Sequence, residues 1–570
     1  MTMAASTTRV ELAGRHARRP GLGCWTCKDK KVRCDAQQPV CNRCDRLNRS
    51  CDYSPRQRKP YPRRGSRSQG IQASRTLQTQ RSLQRAVDVD FSARNNSSSP
   101  RSSLDARPNA SASSLIIGSR EREAIQYFQT VFARHQHTKN SSYNVVAVIF
   151  RIASHSAMTM HMVLAIARQE MLCFRAGGNA DVGDDEMALH HYSEALRQFG
   201  AFIEGTDTET GIDAVLAATW LMLAYEQKFG DGSGKALSSH LRGVASLVQV
   251  KSRHTFMLST GTEDQATSPV TKMELSATSR TSFLPSLFSA RMLVWISLLD
   301  AGASSTRLGG GINGALHGML RQHNSCSYSH EPESESNIFR SYTKMQRFSN
   351  PLFPRVWGDS YPTTELMDDI DNHNVFLLYG QCFQLRYMVS QLYELELEHS
   401  PAAADCRRVV EMAFDDVSRQ YSETFLLARK MCQDTDHKIR AVKNVRFIVP
   451  HFHAATLFYH HSARLTVEGT GQRASALAGI MNLAFQAFQH EGDEAMLRIA
   501  WPLFMAILET EDLLHRDWVC TRLRSLARYG RNYARAATFA DAYVAEVQQR
   551  GHKPDFRELL GSGGFEQFAI

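Results

Sequence analysis

Long apolar runs are missing from this chain. The longest, Ala214 to Tyr225, covers 12 residues and stops at Glu226, well short of the ~20 that a membrane-crossing helix needs. No membrane partner is therefore expected. The opening stretch MTMAASTTRVELAGRHARRP lacks the apolar centre of a secretory signal, so the chain is expected inside the cell, where thiols stay reduced. Alternating strand patterns are rare. Cysteine is sparse over most of the length: Cys173, Cys326, Cys382, Cys406, Cys432 and Cys520 stand singly, as buried core thiols often do. Acidic residues are scarce at one end. Residues 1–70 hold 17 Lys and Arg against 5 Asp and Glu, while the other 500 hold 50 against 52. A basic head on a near-neutral body points to nucleic acid as the partner of the head.

What the rest lacks, one segment concentrates. Six of the 12 cysteines fall in CWTCKDKKVRCDAQQPVCNRCDRLNRSC: Cys24, Cys27, Cys34, Cys41, Cys44 and Cys51. The spacing C-x2-C-x6-C occurs twice, the second copy offset by 17 residues at all three cysteines. Zinc takes four tetrahedral ligands and suits thiolate. Two zinc ions need eight bonds from six thiolates, so two sulfurs must bridge. The repeat makes the bridging pair equivalent, and Cys24 and Cys41 each open a half. One zinc is then expected on Cys24, Cys27, Cys34 and Cys41, the other on Cys41, Cys44, Cys51 and Cys24. Two other arrangements compete with this one. A disulfide framework conflicts with a reducing compartment. A single-zinc ribbon on Cys24, Cys27, Cys41 and Cys44 leaves Cys34 and Cys51 without a purpose. Metal is also energetically apt, because so short a segment cannot bury enough apolar surface to fold alone.

The segment closely resembles the DNA-binding domain of the fungal binuclear zinc-cluster transcription factors over residues 21–55. Pro39, two residues before Cys41, sits where that family usually has a loop proline. The resemblance implies a short helix after each C-x2-C. It places Lys30 and Lys31 toward the bases of a CGG-type triplet in the major groove, where guanine offers acceptors that an ammonium can meet. Lys28, Arg33, Arg43, Arg46 and Arg49 are expected on phosphates, contributing affinity and salt dependence. It further implies a nuclear protein acting on RNA polymerase II genes together with co-regulators or the transcription machinery. A zinc-containing interaction scaffold without specific DNA readout is the alternative.

Residues 1–20 read as a disordered basic N-terminus. Residues 56–118 are poor in apolar residues and rich in Ser, Arg, Gln and Asn, a composition that cannot build a core. The basic run Arg56, Arg58, Lys59, Arg63, Arg64 and Arg67 is a candidate nuclear import signal. Leu77, Leu83 and Val87 do not sustain the heptads of a coiled coil, which leaves both a monomer and a homodimer open.

From residue 119 to about 550 the periodicity turns helical. Ser119 is expected to cap the first helix, and Ile212 to Tyr225, apolar nearly all round, to be buried. Leu237, Leu241, Val244 and Val248 mark one helix face. Further periodic stretches cover about 373–398, 403–434, 440–466, 472–490, 494–514 and 520–549. The fold class expected is thus a small zinc-stabilised two-helix cluster joined by a disordered linker to a large all-α domain. Exposed loops are expected at 256–285 and 301–338, and a tail at 551–570. The segments HLRGVASLV, YHHSARL and WPLFMAILETED resemble the helical regulatory domain of the same fungal factors. No enzyme is expected: His330-Glu331 and His490-Glu491 lack the second His of a zinc-protease helix, and Gly230, Gly232, Gly234 and Lys235 lack the spacing of a phosphate loop.

Overall fold

The computed structural model describes residues 24–30, 32, 34–35, 37, 39–53, 115, 117–176, 185–205, 210–255, 286–325, 336–435, 437–462 and 470–570, with main chain alone at 28–29, 250–255, 319–325, 336–341 and 470. The expectations for residues 1–20, for Lys31 and Arg33, for nearly all of 56–118 including the basic run Arg56–Arg67, and for the loop at 256–285 lie outside the described residues. Two compact units divide the chain, residues 1–98 and 99–570.

The first unit holds two five-residue helices, α1 (Trp25–Asp29) and α2 (Asn42–Arg46), which span the second cysteine of each C-x2-C instead of following it, so the first does not occupy the expected 28–33. Neither is long enough to persist in water unaided. No aliphatic core supports them among the described residues. The buried apolar residues here are Cys24, Cys27, Cys41 and Cys44, with Val32 and Tyr53 packed at the side.

The second unit is all helix, with no strand among the described residues. One core gathers around Ala157–Arg175, Ile212–Phe229 and Leu287–Ser304. A second gathers around Ala500–Glu509 and Arg531–Arg550, and a third around Thr363–Leu397 and Arg440–Ser462. Ile212–Phe229 is buried on almost every side, as its apolar circumference predicts. Leu287–Ser304 is long and apolar enough to cross a membrane by composition, yet it is 72% buried inside the fold and serves as a core helix.

Three further sequence expectations need correction. Ser119 does not cap: the first body helix runs Ser119–Tyr127 with Gly118 at the cap position and no side-chain cap bond. The expected exposed loop at 301–338 is largely helix, since Leu287–Ser304 reaches into it, Gly311–Ser325 follows, and Ser336 begins another helix. The glycine run Gly309–Gly311 within it is a tight turn. Gly310 sits at φ +103°, and a Cβ on Gly309 would lie 2.5 Å from the Asp300 carbonyl, so both positions require glycine. The buried Asp300 carboxylate then accepts from Gly310 N–H at 2.7 Å and Asn313 N–H at 2.8 Å, tying down the new helix start. Nor is 551–570 a tail. Asp555 caps Phe556–Gly561, and Phe556, Leu560 and Phe568 are buried in the second core. Widely spaced aromatic anchors leave no periodic signal.

Candidate metal centre and nucleic-acid interface

The 17-residue offset seen in the cysteines recurs in the backbone. Cys27 N–H donates to Cys24 Sγ at 3.4 Å, and Cys44 N–H to Cys41 Sγ at 3.4 Å. Cys24 N–H donates to Cys34 Sγ at 3.4 Å, and Cys41 N–H to Cys51 Sγ at 3.3 Å. Beyond each helix the chain closes alike, with Val32 N–H on Cys27 O at 3.0 Å and Arg49 N–H on Cys44 O at 2.9 Å. Lys30 N–H to Thr26 O and Leu47 N–H to Arg43 O are a further matched pair, at 3.4 and 3.3 Å. The two halves are thus copies in structure as well as in spacing.

The six sulfurs form two groups of four, Cys24, Cys27, Cys34 and Cys41, and Cys24, Cys41, Cys44 and Cys51. Cys24 and Cys41, expected to bridge, are common to both. The Cys24–Cys41, Cys27–Cys41 and Cys24–Cys34 separations are each 3.8 Å. A regular tetrahedron with metal–sulfur bonds of ~2.3 Å has an edge of about 3.8 Å, so these sulfurs fit zinc. A disulfide, with S–S near 2.05 Å, does not fit, and the cysteines are free.

Electrostatics argue the same way. Burial pushes the Cys24 thiol far up, Cys27 up, and Cys44 up to about 12. Cys41 falls to about 6, chiefly because the Cys44 N–H bonds its sulfur. Six crowded sulfurs cannot all ionise without a compensating cation, and a divalent metal supplies that charge.

Several stabilising contacts lie outside any cysteine pattern. Trp25 N–H donates to Asp52 O at 2.7 Å and Thr26 Oγ1 to Ser50 O at 2.8 Å, so the end of the second half closes on the start of the first. The Tyr53 hydroxyl donates to Gln37 O at 3.1 Å beside Cys34 Sγ, and the Asp35 carboxylate accepts from Asn42 N–H at 3.1 Å. Spacing alone could not flag them, because one joins two backbone groups far apart in the chain and the others join a side chain to a backbone group outside the cysteine pattern.

The basic residues fall around this frame. Arg43 and Arg46 sit three apart on α2 and are exposed, as is Arg49 just beyond it. Lys30 is exposed where α1 ends. Lys28 lies on α1 with its side chain undescribed, and Lys31 and Arg33 lie outside the described residues.

Comparison with known proteins places both units. Residues 22–60 match the fungal Zn(2)-Cys(6) binuclear cluster domain, and residues 123–543, more than half the chain, match the fungal specific transcription factor domain. The six cysteines are accordingly those of a binuclear zinc cluster. The chain is 43% identical over 61 residues to the transcriptional regulator alnR of Emericella nidulans, covering 11% of this chain and 15% of that one. It is 35% identical over 88 residues to a depudecin biosynthesis cluster-specific transcription activator of Fusarium langsethiae, covering 15% and 14%. It is 45% identical over 49 residues to the transcription factor dibT of Pestalotiopsis microspora, covering 9% and 8%. The matches therefore span under a fifth of each of these relatives. No solved structure matches the chain.

Proposed function

The chain belongs to the family of the fungal specific transcription factor domain, and from that premise we propose that it is a nuclear, sequence-specific DNA-binding regulator of RNA polymerase II transcription. The observation that carries this reading is the pair of sulfur tetrahedra sharing Cys24 and Cys41, edged by exposed basic side chains. Cys27 and Cys34 complete one zinc shell, and Cys44 and Cys51 the other. With four sulfurs on each ion, no coordination position is left for a substrate, so the metal acts as a structural cross-link. It holds two helices too short to stand alone and fixes the chain that carries the lysines.

Lys30, exposed where α1 ends, and its neighbour in sequence Lys31 read the bases of a CGG-type triplet. Lys28, Arg33, Arg43, Arg46 and Arg49 hold phosphates and set the register. The run Arg56, Arg58, Lys59, Arg63, Arg64 and Arg67 serves nuclear import. The helical body is the regulatory part.

Binding of the full-length protein to a CGG-containing duplex and to a scrambled duplex tests this. Lys31→Ala is expected to cost about 1–3 kcal/mol on the CGG duplex and far less on the scrambled one. Equal losses on both would reduce Lys31 to a phosphate contact. Indifference of the wild-type protein to the triplet would remove sequence-specific reading altogether.

A further inference from the structure

Between the first body core and the other two lies a cavity of about 710 Å³, within the size range of small-molecule sites. One side carries His137, Trp220, Arg291, Trp295 and Leu298; the other carries Phe376, Phe383, Arg386, His451 and Trp501. Both sides belong to the body, and whatever fills the space touches both.

Aromatic rings dominate the first wall. The His137 ring is sandwiched between Trp295 (5.7 Å, 11° between planes) and Phe376 (5.3 Å, 29°), and Trp220 stands 5.2 Å from Trp295. The apolar helix Leu287–Ser304 adds Val294, Leu298 and Leu299. Such a lining favours a flat, mostly apolar molecule.

Charge on the wall is one-sided. Lys228, Arg291, Arg386, Arg440 and Arg498 line it against a single side-chain carboxylate, Asp369. That carboxylate is committed to Lys139 at 2.6 Å and the Tyr361 hydroxyl at 2.5 Å. Three of the cations are paired outside the lining: Lys228 with Glu170 at 2.7 Å, Arg440 with Asp368, and Arg498 with Glu491 at 3.2 Å. Arg386 donates to Gly302 O, Ser305 Oγ and Ile570 O.

Arg291 is different. Its bonds run from Nη2 alone, to Ser349 O and Asn350 Oδ1, both at 3.0 Å, and its buried Nε has no partner. No carboxylate forms an ion pair with it among the described residues. Burial lowers it to about 10, so it remains a cation at neutral pH. His137 adds a donor. Its Nδ1 accepts from Lys139 N–H at 3.0 Å. Burial, with Arg440 and Lys139 nearby, keeps the ring neutral, so its proton sits on Nε2. Asp369 acts on Arg291 only from beyond ion-pair distance, and a half-buried cation without a paired carboxylate is relieved by an anionic ligand.

We propose that this cavity binds a small aromatic acid, its ring system stacked among Trp220, Trp295, Phe376 and Phe383 and its anionic group on Arg291. Bound there, the acid joins the first core to the other two, so it stabilises whichever arrangement of the body holds the cavity closed. The inference is independent of how the head reads DNA, since it concerns the body's own residues.

The test uses the full-length protein and two fluorescent probes of similar shape, anilinonaphthalene sulfonate, which carries an acid, and N-phenylnaphthylamine, which does not. The sulfonate is expected to bind one per chain, about tenfold tighter than the neutral amine, as one charge-assisted contact supplies. Arg291→Met is expected to abolish that preference while leaving the neutral probe bound. Leu298→Trp, which fills the space, is expected to exclude both probes without lowering helicity. Equal affinity of the wild-type protein for the two probes overturns the proposal with no substitution needed. Undiminished binding to folded Leu298→Trp protein overturns it as well.

Discussion

The head and the body of this chain solve the same problem by opposite means. The body hides its helices behind leucine, phenylalanine and tryptophan, and α-helices such as Ile212–Phe229 disappear into the interior. The head has no such interior among its described residues. Its centre is sulfur, and its two helices have five residues each. Burial of apolar area grows with chain length, whereas a metal–thiolate bond does not depend on size. A short basic segment that must keep its lysines in water can therefore be ordered by zinc where it could not be ordered by a core.

Removing the metal is the strongest way to break the comparison. A chelator is expected to abolish specific DNA binding completely while the body keeps its helical circular dichroism and its melting transition. Loss of the body's helicity along with the metal would mean that the two units are not independently stabilised.

Attacking the body from its core is the converse. Phe504 is fully buried against Trp501, Phe539, Phe556 and Phe568, with ring centroids 5.6–6.1 Å away. Phe504→Ala is expected to destabilise the body by about 3–5 kcal/mol in denaturant unfolding, with zinc content unchanged at two per chain.

Acid gives a smaller effect, confined to the body. Burial alone would raise the Glu170 carboxyl, but Lys228 and His135, each at 2.7 Å, hold it down at about 2 against an ordinary 4.5. A depressed carboxyl stabilises the fold above its unfolded value, and that stabilisation is lost as pH falls toward the folded value. Body stability is thus expected to decline between about pH 4.5 and pH 2, and Glu170→Gln to flatten part of that decline. An unaltered acid limb in the variant would assign the loss to other carboxylates, such as Glu491 and Glu509, also held at about 2.

Smallest is the phosphate term of the head. Arg46→Ala is expected to weaken all duplexes alike and to reduce the slope of log affinity against log salt by about 1. A sequence-selective loss would move Arg46 to the bases.

The parts readable from the sequence were those with a local period. Cysteine spacing announced the two sulfur quartets, because tetrahedral coordination admits few ways to use six thiolates. The 3.6-residue repeat announced helices such as Arg440–Ser462 and Arg531–Arg550. What escaped depends on partners distant in the chain. The Gly309–Gly311 run reads as slack until Asp300 is seen bonding the helix it starts. Phe556, Leu560 and Phe568 look like a tail until the core that receives them is known. Arg291 carries no mark in sequence, since its significance is the missing carboxylate on a wall assembled from many helices.

The duplicated head has one more implication. Stepping 17 residues along carries Lys28, Lys30, Lys31 and Arg33 onto Asp45, Leu47, Asn48 and Ser50. The scaffold is close to two-fold, but its decoration is not: none of these four cations has a basic counterpart, and Arg43, Arg46 and Arg49 of the second half fall in turn on Thr26, Asp29 and Val32. On the proposed reading, a single head would present one reading edge and have a defined polarity on the duplex. Inverted half-sites would have to be met by two separate copies of the chain, while an isolated half-site would suit one.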